Sequence, residues 1–369
     1  MKPQLSNFQK TFKGKKVIIT GHTGFKGTWL TMWLLMLGAK VKGIALNPYS
    51  NPSHYKKLKL SKMIIDKRFN ILNRKRLTKE VIEYKPDFIF HLAAQALVKS
   101  SYIDPISTWD TNLNGTINVI SALRKLNHKC TAVIVTSDKC YKNKEIKRGY
   151  RENDELGGYD PYSASKGAAE IAIQSYIKSF FNRNTNTKVS IAIGRAGNVI
   201  GGGDWSKDRI LPDCIRSWSK NKKVIMRSPL STRPWQHVLE PLSGYLTLAQ
   251  NLEYNYKLHG EAFNFGPKET LSRSVMDLVK EMSLYWQNVK WKIVQDKKIK
   301  EAGLLKLNCK KAKDLLQWKS NMNFSQTVKL TANWYRDFYI KNSDVTHITK
   351  QQIIFYVSLA KKNKLIWSK

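Results

Sequence analysis

Val17-Ile18-Ile19-Thr20-Gly21-His22-Thr23-Gly24-Phe25-Lys26-Gly27 passes from an apolar, β-branched run into three glycines, each separated from the next by two residues. Thr28 to Leu37 continues the stretch with apolar residues at helical spacing. A short unbroken apolar run suits a parallel strand buried on both faces. The glycines let the backbone approach a ligand closely, and the helix that follows offers free amide groups and the positive end of its dipole. Strand, glycine turn and helix in that order make a pyrophosphate cradle; without the flanking elements the same glycines would be only a tight turn.

Working outward, Val41 to Leu46 reads as a second strand. Dinucleotide folds often place an acid at the end of this strand to hold the adenosine ribose. Here the strand runs into Asn47-Pro48, with neither an acid nor an arginine, though Asn47 can still hydrogen-bond a ribose. Ile64-Ile65 through Asn70-Ile71 suggests a third strand, and Arg74 to Tyr84 a helix stopped by Pro86. A strand from Asp87 runs into the small residues of Leu92-Ala93-Ala94-Gln95, which would let the backbone near a cofactor. Thr108 to Leu126 reads as one helix, Ala132 to Val135 as a buried strand, and Val189 to Gly197 as another. Strands alternating with helices argue for a doubly wound parallel sheet of Rossmann type, with ligands outside the strand carboxyl ends.

Reactive groups stand at one of those carboxyl ends and on the helix that comes after it. Thr136-Ser137-Asp138-Lys139-Cys140-Tyr141 follows the buried strand, and Tyr162-Ser163-Ala164-Ser165-Lys166 opens a helical run that extends to Phe181. A tyrosine and a lysine four residues apart lie on one helix face. An ammonium beside a phenol is expected to lower the tyrosine's pKa from about 10, making Tyr162 a candidate general base. Ser137 could hold the same substrate hydroxyl. A lone Tyr-x-x-x-Lys is more often an ordinary surface turn, so its meaning depends on the elements around it.

After residue 198 the alternation ends. Gly201-Gly202-Gly203-Asp204-Trp205 reads as a flexible, turn-rich hinge. In Ser231 to Val238, Arg233 could grip a phosphate and the aromatic side chains could stack on a ring. Pro241 to Leu252 reads as a helix and Glu261 to Gly266 as a strand returning to the main sheet. The expected division is a dinucleotide-binding domain over 12–198, joined by 238–266, and a smaller mixed α/β substrate-binding region over 199–237 and 267–340. Residues 341–369 read as a basic tail.

At 369 residues, with 42% hydrophobic and 25% charged residues, the chain has the make-up of a soluble globular protein. The net charge of +37 is unusual. It would suit a polyanion partner, but the basic residues are spread in short runs such as Lys13-Gly14-Lys15-Lys16 and Lys361-Lys362-Asn363-Lys364. With no basic helix and no aromatic-basic motif, solvated faces are the better reading, and neither nucleic acid nor membrane is an expected partner. Cys130, Cys140, Cys214 and Cys309 are isolated, which points to free thiols and no metal site. No apolar segment has signal-peptide or membrane-spanning character, so the expected location is the cytoplasm.

Taken together, Gly21 to Gly27, His91 to Ala94, Tyr162-x-x-x-Lys166 and Arg195-Ala196-Gly197-Asn198 resemble the extended short-chain dehydrogenase/reductase family. Longer blocks extend the likeness from about residue 12 to about residue 340. They are Gly157 to Ser163, Asn198-Val199-Ile200-Gly201-Gly202-Gly203-Asp204-Trp205 and Thr232 to Pro241. These blocks are similar to the branch that dehydrates nucleotide-activated glucose, specifically CDP-glucose. The resemblance implies a tightly held NAD. It implies oxidation at sugar C4, loss of the C5 proton and the C6 hydroxyl as water, and hydride return to C6. The expected product is a CDP-4-dehydro-6-deoxyglucose.

The resemblance also assigns residues. Gly21, Thr23, Gly24, Phe25, Lys26 and Gly27 would hold the cofactor, with Leu92, Ala93 and Ala94 behind them. Asn47, Asn70 and Ile71 would meet its adenosine end, and Asn112, Tyr162 and Lys166 would complete its site. Gln95, Asn198, Arg209, Arg233, Trp235 and His237 would bind the substrate. Tyr162 would take the C4 hydroxyl proton, Ser137 would share that oxygen and Asp138 would assist departure of the C6 hydroxyl. Lys139 stands where related dTDP-glucose dehydratases carry a glutamate that takes the C5 proton. It is either that base or a group that orients Asp138. Asn47 and Asn70 depart from the family's acids and bear on cofactor affinity. A homo-oligomer, dimer or tetramer, is expected. The rival activity is a nucleotide-sugar 4-epimerase or reductase, which would not need Asp138-Lys139. A nucleic-acid-binding protein on this fold is a more distant rival.

Overall fold

The computed structural model describes residues 6–146, 148–182, 184–185, 187–268, 273–287, 289–294 and 305–369. Seven parallel strands form the central sheet: β1 (Lys16–Thr20), β2 (Lys40–Ala45), β3 (Ile65–Arg68), β4 (Phe88–His91), β5 (Cys130–Val135), β6 (Val189–Ala196) and β7 (Ala262–Phe265). Their order is β7-β6-β5-β4-β1-β2-β3. This is the doubly wound sheet read from the sequence, and the expected return of residues 261–266 is seen in the pairing of Ala262 with Ile193. β2 begins and ends one residue earlier than expected, at Lys40 and Ala45, and β3 is shorter than expected, ending at Arg68.

Alternation along the strands builds two cores. Val17 and Ile19 of β1 pack on the side of α1 (Phe25–Met36). Ile18 packs on the opposite side with residues of α2 (Arg74–Tyr84), α3 (Gly115–Leu123) and α4 (Pro161–Phe180). Burial on both faces is why these strands are continuous apolar runs rather than alternating ones. α4 starts where its sequence says it should: the Asp160 carboxylate accepts from the Ser163 amide at 2.9 Å, and Pro161 occupies the first turn.

Three expectations need correction. The helix expected over Thr108–Leu126 is a short helix to Trp109, a π-turn over Asp110–Asn114 and then α3. The bulge turns the Asn112 side chain into the Gln95 backbone, and Gly115 sits where a Cβ would lie 2.5 Å from Ile71 Cδ1.

The glycine run is not a loose hinge. A Cβ at Gly202 would lie 2.0 Å from the Trp334 ring, and Asp204, Trp205 and Ser206 are buried. α6 (Phe324–Tyr339) presses against Gly202 through Trp334, while Gly201 is crowded by Val238 and Phe25 and Gly203 by His54.

The supposed basic tail contains α7 (Val345–Lys362), which packs back on α1. Its Tyr356 meets Trp33 edge-on, and both Phe8 and Tyr356 stack on Trp367. The apolar face of this helix was too short in sequence to stand out from its lysines. It is joined to the rest through Glu240, at the start of α5 (Leu239–Tyr254). Glu240 accepts from the amides of Asn321 and Met322 and from the Tyr356 hydroxyl.

Small two-stranded pairs, Val224–Met226 with Trp291–Ile293 and Thr232–Arg233 with Arg273–Ser274, form part of the mixed region beside the sheet. Part of the expected 267–340 segment lies outside the described residues. No described helix is long and apolar enough to cross a membrane.

Candidate active site

The carboxyl ends of the strands open on a cavity of about 1300 Å³. The glycine turn forms its floor. Gly21 has φ +76°, and a Cβ there would lie 2.6 Å from the Ala93 amide nitrogen, so the turn seats directly on Leu92-Ala93-Ala94. A Cβ on Gly27 would lie 2.2 Å from the Gly21 carbonyl oxygen, so α1 could not start so close to the strand with any larger residue. Gly24 precedes the first turn of α1 without a side-chain cap. The first-turn amides therefore face the cavity with no side chain competing for them, which suits an anion. Beneath the turn, Thr20 Oγ1 bonds His91 Nδ1 at 2.6 Å and His91 Nε2 bonds Thr116 at 3.1 Å. Burial holds His91 down to about 3, so it is a neutral spacer.

Thr23, Phe25, Lys26, Asn47, Asn70 and Ile71 all line the cavity. Thr23 donates to the Leu46 carbonyl at 3.0 Å, and Asn70 Oδ1 accepts from the Leu72 amide at 3.0 Å. Close to the missing acid stands a residue that linear reading did not find. The pairing of Ala45 with Arg68 brings Arg68 beside the end of β2, where it donates to the Leu46 carbonyl at 2.9 Å and to Asp66 at 2.8 Å. Only strand register reveals it.

Ser137, Asp138, Lys139, Tyr162 and Lys166 converge on the same cavity. Ser137 donates to Asp138 Oδ1 at 3.0 Å, and its oxygen accepts from the Lys139 amide at 3.2 Å. Ser137 also lies close enough to Tyr162 to pull its phenol downward. Burial drives the Asp138 carboxyl above the ordinary carboxylate range, against the pull of Lys139, Ser137, Lys26 and Arg233. A Cβ on Gly197 would lie 2.8 Å from Asp138 Oδ2, which explains a glycine there.

Tyr162 departs from expectation. Burial pushes it up to about 12, outweighing the Ser137 hydrogen bond and the Arg209 charge that pull it down. Desolvation, which residue spacing does not report, decides the direction. Burial likewise brings Lys166 down to about 8, against the pull of Cys140 and Glu170. Lys26 is also brought to about 8, and it faces Asp138, Arg209 and Lys166.

Three sequence-selected residues do not line the cavity. Gln95 spends its side chain on Leu97 and Thr108, folding its own loop. Asn112 is buried and bonds the Gln95 backbone and Ser165, so it fixes the loop against α4. His237 is fully buried against Trp29 and held down to about 3. Asn198, Arg209, Arg233 and Trp235 do line it. Arg209 pairs with Asp204 at 3.1 Å, and the Trp235 indole donates to the Arg273 carbonyl at 3.1 Å. Behind the site, Glu170 and Arg195 form a buried ion pair that also takes the Thr136 hydroxyl. Its partners are 25 residues apart in sequence; Arg195 stands in the 195–198 motif, but nothing local pairs it with Glu170.

The family described as GDP-mannose 4,6 dehydratase matches residues 18–331. The CDP-glucose 4,6-dehydratase of Salmonella typhimurium is 42% identical over 350 residues, covering 94% of this chain and 97% of the relative. The UDP-glucuronic acid 4-epimerase of Bacillus cereus superposes with a TM-score of 0.74 at 21% identity, over 88% of this chain and all of that one. The dTDP-glucose 4,6-dehydratase of Bacillus anthracis gives 0.72 at 20% identity, over 89% of this chain and 99% of that one. At such identities these two likenesses bear on the fold alone.

Proposed function

The chain belongs to the GDP-mannose 4,6 dehydratase family, within the extended short-chain dehydrogenases/reductases, and on that premise we propose that it converts CDP-glucose to CDP-4-dehydro-6-deoxyglucose and water. The observation that carries the reading is the Asp138 carboxyl, kept toward its acid form by burial and set between Ser137 and the cavity that Tyr162 also lines. A 4-epimerase has no use for an acid there, whereas a dehydratase must protonate a departing hydroxyl. The identity to a CDP-glucose enzyme over nearly the whole chain supports the nucleotide.

The glycine turn, the uncapped start of α1 and the small residues at 92–94 fit NAD, with Asn47, Asn70 and Ile71 toward its adenosine end and Lys166 near its reactive end. NAD, when bound, supplies a hydride acceptor at C4 and returns the hydride at C6. The Tyr162 oxygen, which burial keeps protonated until its own proton is removed, then takes the C4 hydroxyl proton, and Ser137, on the same cavity wall, holds the C4 oxygen. The resulting C4 ketone acidifies the C5 proton. Lys139, at the cavity wall beside Asp138, is the candidate to accept it. Asp138 gives its proton to the C6 hydroxyl as it leaves, and the proton taken by Lys139 goes back to C5 when the hydride reaches C6. Arg233 and Arg209 supply positive charge for the substrate's pyrophosphate, and Trp235 an aromatic wall.

The test is incubation of the purified protein with CDP-, UDP-, dTDP- and GDP-glucose. The expected result is a 4-keto sugar, seen by its absorbance in base, from CDP-glucose and without net NADH. Stoichiometric NADH would instead make the protein a plain dehydrogenase, and CDP-galactose as product would make it an epimerase.

A further inference from the structure

Tyr49 and Ser206 meet across the carboxyl edge of the sheet. Tyr49 lies in the loop leaving β2, and Ser206 in the segment after β6. β1, β4 and β5 stand between those strands, so at about 4.8 Å per strand the two loops begin about 19 Å apart. Yet the Tyr49 phenol oxygen hydrogen-bonds the Ser206 hydroxyl.

The two ends of this bridge differ. Ser206 is fully buried and anchored: its hydroxyl donates to Asp204 Oδ1 at 2.6 Å and its amide to the same oxygen at 3.0 Å. Asp204 is held in turn by Arg209 and by the Tyr335 hydroxyl on its carbonyl. Tyr49 is 65% exposed, so an outlying side chain hooks its tip onto a fixed base. Beneath the bridge lies the start of α1. The 201–206 segment packs on that helix, with the Trp29 indole donating to the Gly202 carbonyl at 2.9 Å and Gly201 set against Phe25. Tyr49 on one side and Asp204 on the other both line the cavity.

The proposed reaction uses one NAD twice, and a cofactor that left between the two hydride transfers would strand the sugar as its 4-keto form. The adenosine end offers asparagines where an acid would grip, and Asn70 Oδ1 is engaged by its own turn. We propose that Tyr49 is a cofactor-retaining residue, whose bond to Ser206 closes the cavity over bound NAD and slows its departure. The inference rests on the NAD-dependent reading above.

The protein loaded with NAD is mixed rapidly with excess NADH, and the rise in nicotinamide fluorescence reports NAD leaving. Tyr49→Phe keeps the ring and removes the donor, and is expected to release NAD about fivefold faster, the scale of one net hydrogen bond. Ser206→Ala also loosens Asp204, so the double variant is the control: it should release NAD no faster than Ser206→Ala alone. Unchanged release from Tyr49→Phe overturns the proposal, as does a double variant whose acceleration is the product of the two singles. The measurement needs no sugar. A protein that shows this release pattern without converting CDP-glucose overturns the functional reading and keeps the latch. Turnover with unaltered release overturns the latch alone, and failure to bind NAD overturns both.

Discussion

The Gly197 α-carbon and the Asp138 carboxylate are so placed that a Cβ on residue 197 would come within 2.8 Å of Oδ2. The room for the proposed acid is therefore made by the residue that follows β6, in the segment leaving the neighbouring strand. Gly197→Ala should turn the carboxyl aside while leaving Ser137, Tyr162 and Lys166 in place. Sugar-dependent reduction of the cofactor should persist, and dehydration should fall by at least about tenfold, within the scale of general acid catalysis. Tyr162→Phe should do the reverse and abolish cofactor reduction while the substrate still binds. A Gly197→Ala enzyme with normal turnover would remove Asp138 from the acid role.

Lys139 and Asp138 share the cavity, and their duties separate isotopically. If Lys139 takes the C5 proton, Lys139→Ala should oxidise C4, stall, and lose exchange of the C5 hydrogen with solvent deuterium, with turnover down ~10²–10⁴-fold. Mass spectrometry of recovered nucleotide sugar measures the exchange. Undiminished exchange would leave Lys139 only the orientation of Asp138.

Gly202 tests whether the glycine run is a packed junction. With the Trp334 ring 2.0 Å from a Cβ at this position, and Trp334 itself held by Thr349, Gly202→Ala cannot be absorbed by a side-chain rotation. The expected loss is about 2–3 kcal/mol, in the range of overpacked cores, read as a lower urea midpoint. A neutral substitution would restore the hinge reading.

Acid should destabilise the fold before it affects the chemistry. Burial holds His22 down to about 4, and His54, His91 and His237 down to about 3, although Asp66 pulls His22 back up. Below pH 6.5 the unfolded chain takes up these protons first. Stability present above 6.5 is thus lost as pH falls toward 4, at about 1.4 kcal/mol per pH unit for each group. Glu240 opposes this. Burial raises it to about 7, so the folded state binds its proton first and the cost of burying its charge is relieved as pH falls from 7 to about 4.5. Burial also raises Asp138, Glu152 and Asp213, and it lowers His259 with the other imidazoles; the five imidazoles, whose free value near 6.5 falls inside the range, dominate it, so the urea midpoint should drop between pH 7.5 and 5.5. A flat or rising midpoint would contradict the buried neutral histidines.

Sequence alone determined the parallel sheet, because Val17 to Gly27 and Ala132 to Val135 carry local demands of burial on both faces and of close backbone approach. It also marked Ser137, Asp138, Tyr162 and Lys166, whose roles depend on short spacings within one turn or one helix. Tertiary structure decided the rest. Gln95, Asn112 and His237 sit in motifs beside the cavity, but hydrogen bonds and packing turn them away from it. Arg68 reaches the end of β2 through register, and Tyr49 reaches Ser206 across three intervening strands. The protonation of Tyr162 followed burial more than its lysine neighbour. Desolvation and long-range contact are set by what the whole chain packs around a residue, and residue spacing carries no record of either.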